Sequence, residues 1–217
     1  MCKSKRIGFL AGALLAAGVI QQADAASYTA VATGSQTPLL APSSATVTNG
    51  DFQIGPNPGA STTGDGWDEW TTWSFDFNAA GGYPVLGFGA PLISATLTLS
   101  LRTPWFPGPP TDVVTPNGGG FNGIVIPTFI TAADPGGNYG TGTMSFELLN
   151  RDSTYTSDSL LSFLNLHEGL LPMIYGDDAI VYHATLELST DPLPLPGAVW
   201  LLAAPLAAIA RRKRPAA

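Results

Sequence analysis

Ile93-Ser94-Ala95-Thr96-Leu97-Thr98-Leu99-Ser100-Leu101 alternates apolar and small polar residues without a break. Successive side chains of a strand point to opposite faces. This period therefore puts Ile93, Ala95, Leu97, Leu99 and Leu101 on a core, with Ser94, Thr96, Thr98 and Ser100 facing water. Ile180 to Ser189 repeats the pattern, with Ile180, Tyr182, Ala184, Leu186 and Leu188 directed inward and His183, Thr185 and Glu187 outward. Trp73-Ser-Phe-Asp-Phe77 is a third such segment, with its aromatic rings inward. Weaker strand signals lie at 28–32, 123–129 and 143–148. Turn-forming residues separate these segments, among them Asn49-Gly50, Asn117 to Gly120, Asn122-Gly123 and Asp134 to Gly137. Short alternating strands between such turns predict an all-β fold, an antiparallel β-sandwich or jelly roll.

Two segments depart from that pattern. Asp158 to Leu166 carries apolar residues at 160, 161, 163, 164 and 166, which is a helical stripe. It predicts one short helix, capped by Ser157 or Asp158, at one end of the sandwich. The Pro- and Gly-rich stretch from Thr103 to Gly120 reads as one long exposed loop carrying Trp105 and Phe106. Those two aromatics have two readings: they stack on the apolar face of sugar rings, or they fold back over an open end of the core.

Both ends of the chain carry targeting features. Lys3, Lys5 and Arg6 precede the uncharged, mostly apolar run Ile7 to Ile20, and Ala23-Asp24-Ala25 is a small-x-small site. This predicts a signal peptide over 1–25, cleaved after Ala25. Cys2, the sole cysteine, precedes the apolar run, so it is not a lipoprotein acceptor and the mature chain has no thiol. At the other end, Leu193 to Ala210 is free of charge and Arg211, Arg212, Lys213 and Arg214 follow it. Prolines 192, 194 and 196 cannot start a regular helix, which leaves a membrane helix over 197–210, roughly 21 Å long. That is short for a span, and the basic block would stay on the cytoplasmic side.

The tail over 191–217 resembles a PEP-CTERM sorting signal in its Val-Pro-Leu-Pro variant. Pro194, Leu195 and Pro196 match the motif; Ala198 to Leu202, including Trp200, match the apolar segment; Arg211 to Arg214 match the basic end. Leu195 stands where an acidic residue is usual, and Leu193 where Val is common. The resemblance implies an exosortase-type processing enzyme as partner and export in a Gram-negative bacterium. The route runs through an inner-membrane intermediate to the cell envelope, outer surface or extracellular matrix, with exopolysaccharide or biofilm association.

Between the ends, 26–190 forms the predicted extracytoplasmic domain. The whole chain has a formal charge of −7, but seven of nine basic residues lie in the two ends. The middle keeps Arg102 and Arg151 against 14 acidic residues, so its charge is 2 − 14 = −12. A basic footprint is what nucleic-acid binding requires, so that class is excluded. Acidity of this degree fits simple solubility or a calcium-binding surface. Asp65, Asp68 and Glu69 crowd into a Gly-rich loop, and Asp177-Asp178 precedes the last strand. If the two loops meet, their carboxylates supply the hard oxygen ligands of a structural calcium; otherwise they are solvated turns. No other cofactor is indicated.

Catalytic signatures are sparse. His183 falls on an outward strand face, and His167 falls at the end of the helical stripe, where a cation suits the dipole. The Gly-x-Ser-x-Gly, His-Glu-x-x-His and P-loop patterns do not occur. The sequence therefore predicts a non-catalytic surface or matrix protein associated with polysaccharide. The alternative is a secreted glycan-active enzyme using two carboxylates. A third is a protein partner met through a strand edge.

Overall fold

The computed structural model describes residues 25–83, 91–104, 112–126, 132–133 and 139–191. The expected signal peptide apart from Ala25, the expected sorting motif with Pro194, Leu195, Pro196, Trp200 and Arg211 to Arg214, the helix expected over 197–210, and the loop aromatics Trp105 and Phe106 lie outside the described residues. Ala25 is described and exposed. The described chain belongs to one compact unit, Asp24–Leu193.

The unit is mostly β-sheet. A five-stranded sheet has the order β1 (Ala26–Thr33), β13 (Ile180–Thr190), β7 (Leu92–Pro104), β11 (Tyr139–Glu147), β10 (Ala132–Ala133). A six-stranded sheet has the order β3 (Val47–Asn49), β4 (Phe52–Pro56), β6 (Glu69–Asp76), β12 (Leu170–Asp177), β8 (Val113–Pro116), β9 (Ile124–Val125). A two-stranded pair joins β2 (Ala41–Pro42) to β5 (Thr62–Thr63). All strand pairs are antiparallel. Ala95, Leu97, Leu99, Leu101, Ala184, Leu186 and Leu188 of the first sheet share one apolar cluster with Phe52, Trp73, Phe75, Leu171 and Met173 of the second. On the other face of β7, hydroxyls pair across the ladder: Thr98 with Ser145 at 2.7 Å and Ser100 with Thr143 at 2.9 Å.

The alternation holds through most of β7 and β13 and fails at two bulges. Ser94 pairs with Ser189 and Leu92 with Thr190, which leaves Ile93 unmatched. An extra residue flips the faces beyond it. Leu92 is therefore buried, and Ile93, expected in the core, is half exposed at 50%. A second register shift between Val181 and His183 acts in the same way. Val181 is fully buried, while Tyr182, expected inward, is only half-buried.

The stretch expected as one loop from Thr103 to Gly120 is not continuous loop. Thr103 and Pro104 complete β7, and Val113–Pro116 pairs with β12 with Val114 fully buried. A four-residue strand that ends in Pro116 and follows a Pro-rich run carries no local signal, and its pairing partners lie across the sheet.

The helix α1 spans Ser157–Leu166. Its cap is Thr156 rather than Ser157 or Asp158: Thr156 accepts from Ser159 N, and Ser159 Oγ accepts from Thr156 N at 2.9 Å. This is a capping box in which Ser fills the role of Glu or Gln. Leu160, Leu161, Phe163 and Leu164 are buried, whereas Leu166, counted in the stripe, is 75% exposed. The helix touches β7 of one sheet and β12 of the other, and Leu92 N donates to Ser157 Oγ at 2.8 Å. No helix among the described residues is long and apolar enough to cross a membrane.

Candidate functional site

Glu69 opens β6 and shares its inward phase with Thr71, Trp73 and Phe75, so its carboxylate is carried into the interior. It is 1% exposed. The loop before it folds back over it: Gly64 N and Asp65 N both donate to Glu69 Oε1, the latter at 3.0 Å. Gly64 at φ +95° and Gly66 at φ +85° give the backbone this course, which L side chains rarely adopt. Burial pushes the Glu69 carboxyl up to about 7, against the pull of the Gly64 and Asp65 amides. Its Oε2 and the neighbouring Thr71 Oγ1 are buried without a hydrogen-bond partner among the described residues.

The two acidic loops do meet. Asp177 pairs with Glu69 across the β6–β12 ladder, and Asp68 N donates to Asp178 Oδ1 at 3.0 Å. Asp178 also accepts the Thr103 hydroxyl on its carbonyl at 2.6 Å, which ties this corner to β7. Three of the carboxylates serve the backbone here. Asp65 Oδ1 accepts Trp67 N at 3.1 Å, Glu69 accepts two amides, and Asp178 accepts one. Among the described residues no three acidic, His or Cys side chains are grouped to hold a metal ion. A further buried acid, Asp112, went unnoticed in the sequence. At 1% exposure it accepts the hydroxyl of the fully buried Tyr175.

The two histidines sit apart from these acids in role. His167 is the C-cap of α1, with its ring 4.5 Å from that of Phe163 and roughly edge-on to it. His183 is half-buried on β13, opposite Thr33 on one side and Ser100 on the other.

A groove of about 760 Å³ opens elsewhere on the unit. One wall is β1, through Thr29, Ala30 and Val31. The facing wall carries Gln53 of β4 with Thr72 and Ser74 of β6. Asp51 and Asp76 are its charged lining residues. Each has an assigned backbone duty. Asp51 Oδ2 accepts Thr33 N at 2.8 Å, and Asp76 Oδ1 accepts Asn78 N at 2.9 Å and Ala79 N at 3.1 Å. Trp73 forms part of the lining but is only 4% exposed, packed edge-on against Phe52 and Phe75. No protein-family model, curated protein or solved structure matches this chain. The described residues hold two contrasting acidic regions: a sealed corner at Glu69 that holds backbone, and an open groove lined by Asp51 and Asp76.

Sequence patterns missed Asp51 and Asp76 because nothing local distinguishes them from other turn acids. The signal for Glu69 was present. Counting back in twos from Trp73 and Phe75 puts it on the inner face, although it stands in an acidic loop.

Proposed function

We propose that this chain is an exported, non-catalytic surface or matrix protein, whose acidic β unit is an antiparallel sandwich of jelly-roll type. In this reading a signal peptide over 1–25 directs export. An exosortase-type enzyme processes the Pro194-Leu195-Pro196 tail, and the mature unit, 26–190, works at the envelope in contact with exopolysaccharide. The observation that carries the reading is the order of parts: apolar leader, cysteine-free unit of charge −12, proline motif, apolar run, basic block. The disposition of the acids supports the non-catalytic half. Asp51, Asp76 and Glu69 each accept backbone amides, and Glu69 is closed off from solvent at 1% exposure.

Fractionation of the native host, together with affinity electrophoresis of the purified unit through its exopolysaccharide, tests the reading. Envelope or matrix localisation with retarded migration and no release of reducing ends is expected. A cytoplasmic protein, or turnover of the polysaccharide, overturns it.

A further inference from the structure

β1 is the outer strand of the five-stranded sheet, and no strand pairs with it on the side away from β13 among the described residues. Thr33 shows which backbone groups face that side. Its amide donates to Asp51 Oδ2 at 2.8 Å and its carbonyl accepts Asp51 N at 2.9 Å. Gly34, the next residue, donates the other way, to Tyr182 O on β13 at 2.8 Å. Backbone groups alternate sides along an antiparallel strand. Val31 and Thr29 therefore turn their N–H and C=O groups to the same open side as Thr33, about 7 Å apart along the strand. Both residues line the groove.

Three features choose between occupants. A free strand edge supplies alternating donors and acceptors at the spacing of a second strand, which an extended peptide matches. The lining offers no exposed aromatic plane for a sugar ring, because Trp73 is 4% exposed. Its charged side chains are Asp51 and Asp76, both acidic. The strand itself, Ala-Ser-Tyr-Thr-Ala-Val-Ala-Thr, lacks the lysine, proline or inward charge with which edges are commonly guarded.

We propose that the groove receives an extended, neutral-to-basic peptide segment of a partner protein, which adds to β1 as a further strand. The side chain of Asp51, already bonded at Thr33, ends the ladder there and sets its register. This inference does not depend on the export reading above.

Amide hydrogen exchange of the full chain, with and without a capped Lys-Thr-Val-Thr-Val-Thr-Lys peptide at millimolar concentration, tests it. Exchange at Thr29 and Val31 is expected to slow at least tenfold. Binding is expected to weaken at least tenfold when Glu replaces both Lys residues, when alternate peptide bonds of the probe are N-methylated, or in Val31→Pro. Should Val31→Pro not fold, the N-methylated probe decides the matter on the unaltered protein. Unchanged exchange at both residues overturns the proposal. So does equal binding of the N-methylated probe, or protection of this edge by cellohexaose and not by the peptide.

Discussion

The Glu69 corner and the β1 edge meet the same problem in opposite ways. Each presents backbone amides that need acceptors. At the corner, Gly64 and Asp65 turn their amides onto a buried carboxylate, and glycines with positive φ let the loop close over it. Along β1, Asp51 serves Thr33 alone, and Val31 and Thr29 face an open groove. One carboxylate is used up as internal structure; the other leaves a template beside it. The contrast separates an acid enclosed by the backbone it holds from an acid that holds backbone beside an open strand edge.

The largest test of the contrast is pH. Glu69 titrates near 7 when folded and near 4.5 when free, so between these values the folded state holds the extra proton. Stability from this group is therefore fully present below about 4.5 and falls as pH rises to about 7. The loss is on the order of 3 kcal/mol. Urea midpoints across that range, compared between the wild type and Glu69→Gln, should show a slope in the wild type that the variant lacks. Equal slopes would mean that the corner is wetter than its burial implies.

Closing the loop is the next target. Gly66→Ala places a side chain at φ +85° with its Cβ 3.1 Å from Pro104 Cδ. It should cost about 2 kcal/mol in thermal or urea unfolding. A neutral result would show that the loop does not need its glycine.

At the open edge the expected effects are smaller and local. Asp51→Ala removes the acceptor of Thr33 N and should cost about 1 kcal/mol. Exchange at Thr33 should speed up, while the Gly64 and Asp65 amides stay protected. Acceleration at both places would join the two regions into one cooperative unit. Ser74→Ala, on the groove wall and exposed, should change stability by less than about 0.5 kcal/mol. A larger loss would mean that the groove is part of the folding core.

Much of the sheet was legible because Leu97, Leu99 and Leu101 stand opposite Leu186, Ala184 and Val181, and periodicity in one chain segment reports burial directly. Ile93 and Tyr182 escaped because a bulge is a mismatch between two strands, and neither strand records it alone. Val113–Pro116 escaped because four residues are too few to show a period. The groove was invisible for a deeper reason. An open edge is a property of sheet order, and nothing within Ala26–Thr33 states that β1 comes last in its sheet. Asp51 acquires its role only because the β3–β4 hairpin, a two-residue turn at Gly50 and Asp51, reaches Thr33.

The intact mass of the mature protein from the native envelope, measured beside a variant lacking Arg211 to Arg214, tests the export account most directly. The account predicts a chain that begins at Ala26 and ends near Pro196, with the C-terminal trimming lost in the variant. A mass that retains Trp200 to Ala217 in the wild type would contradict it.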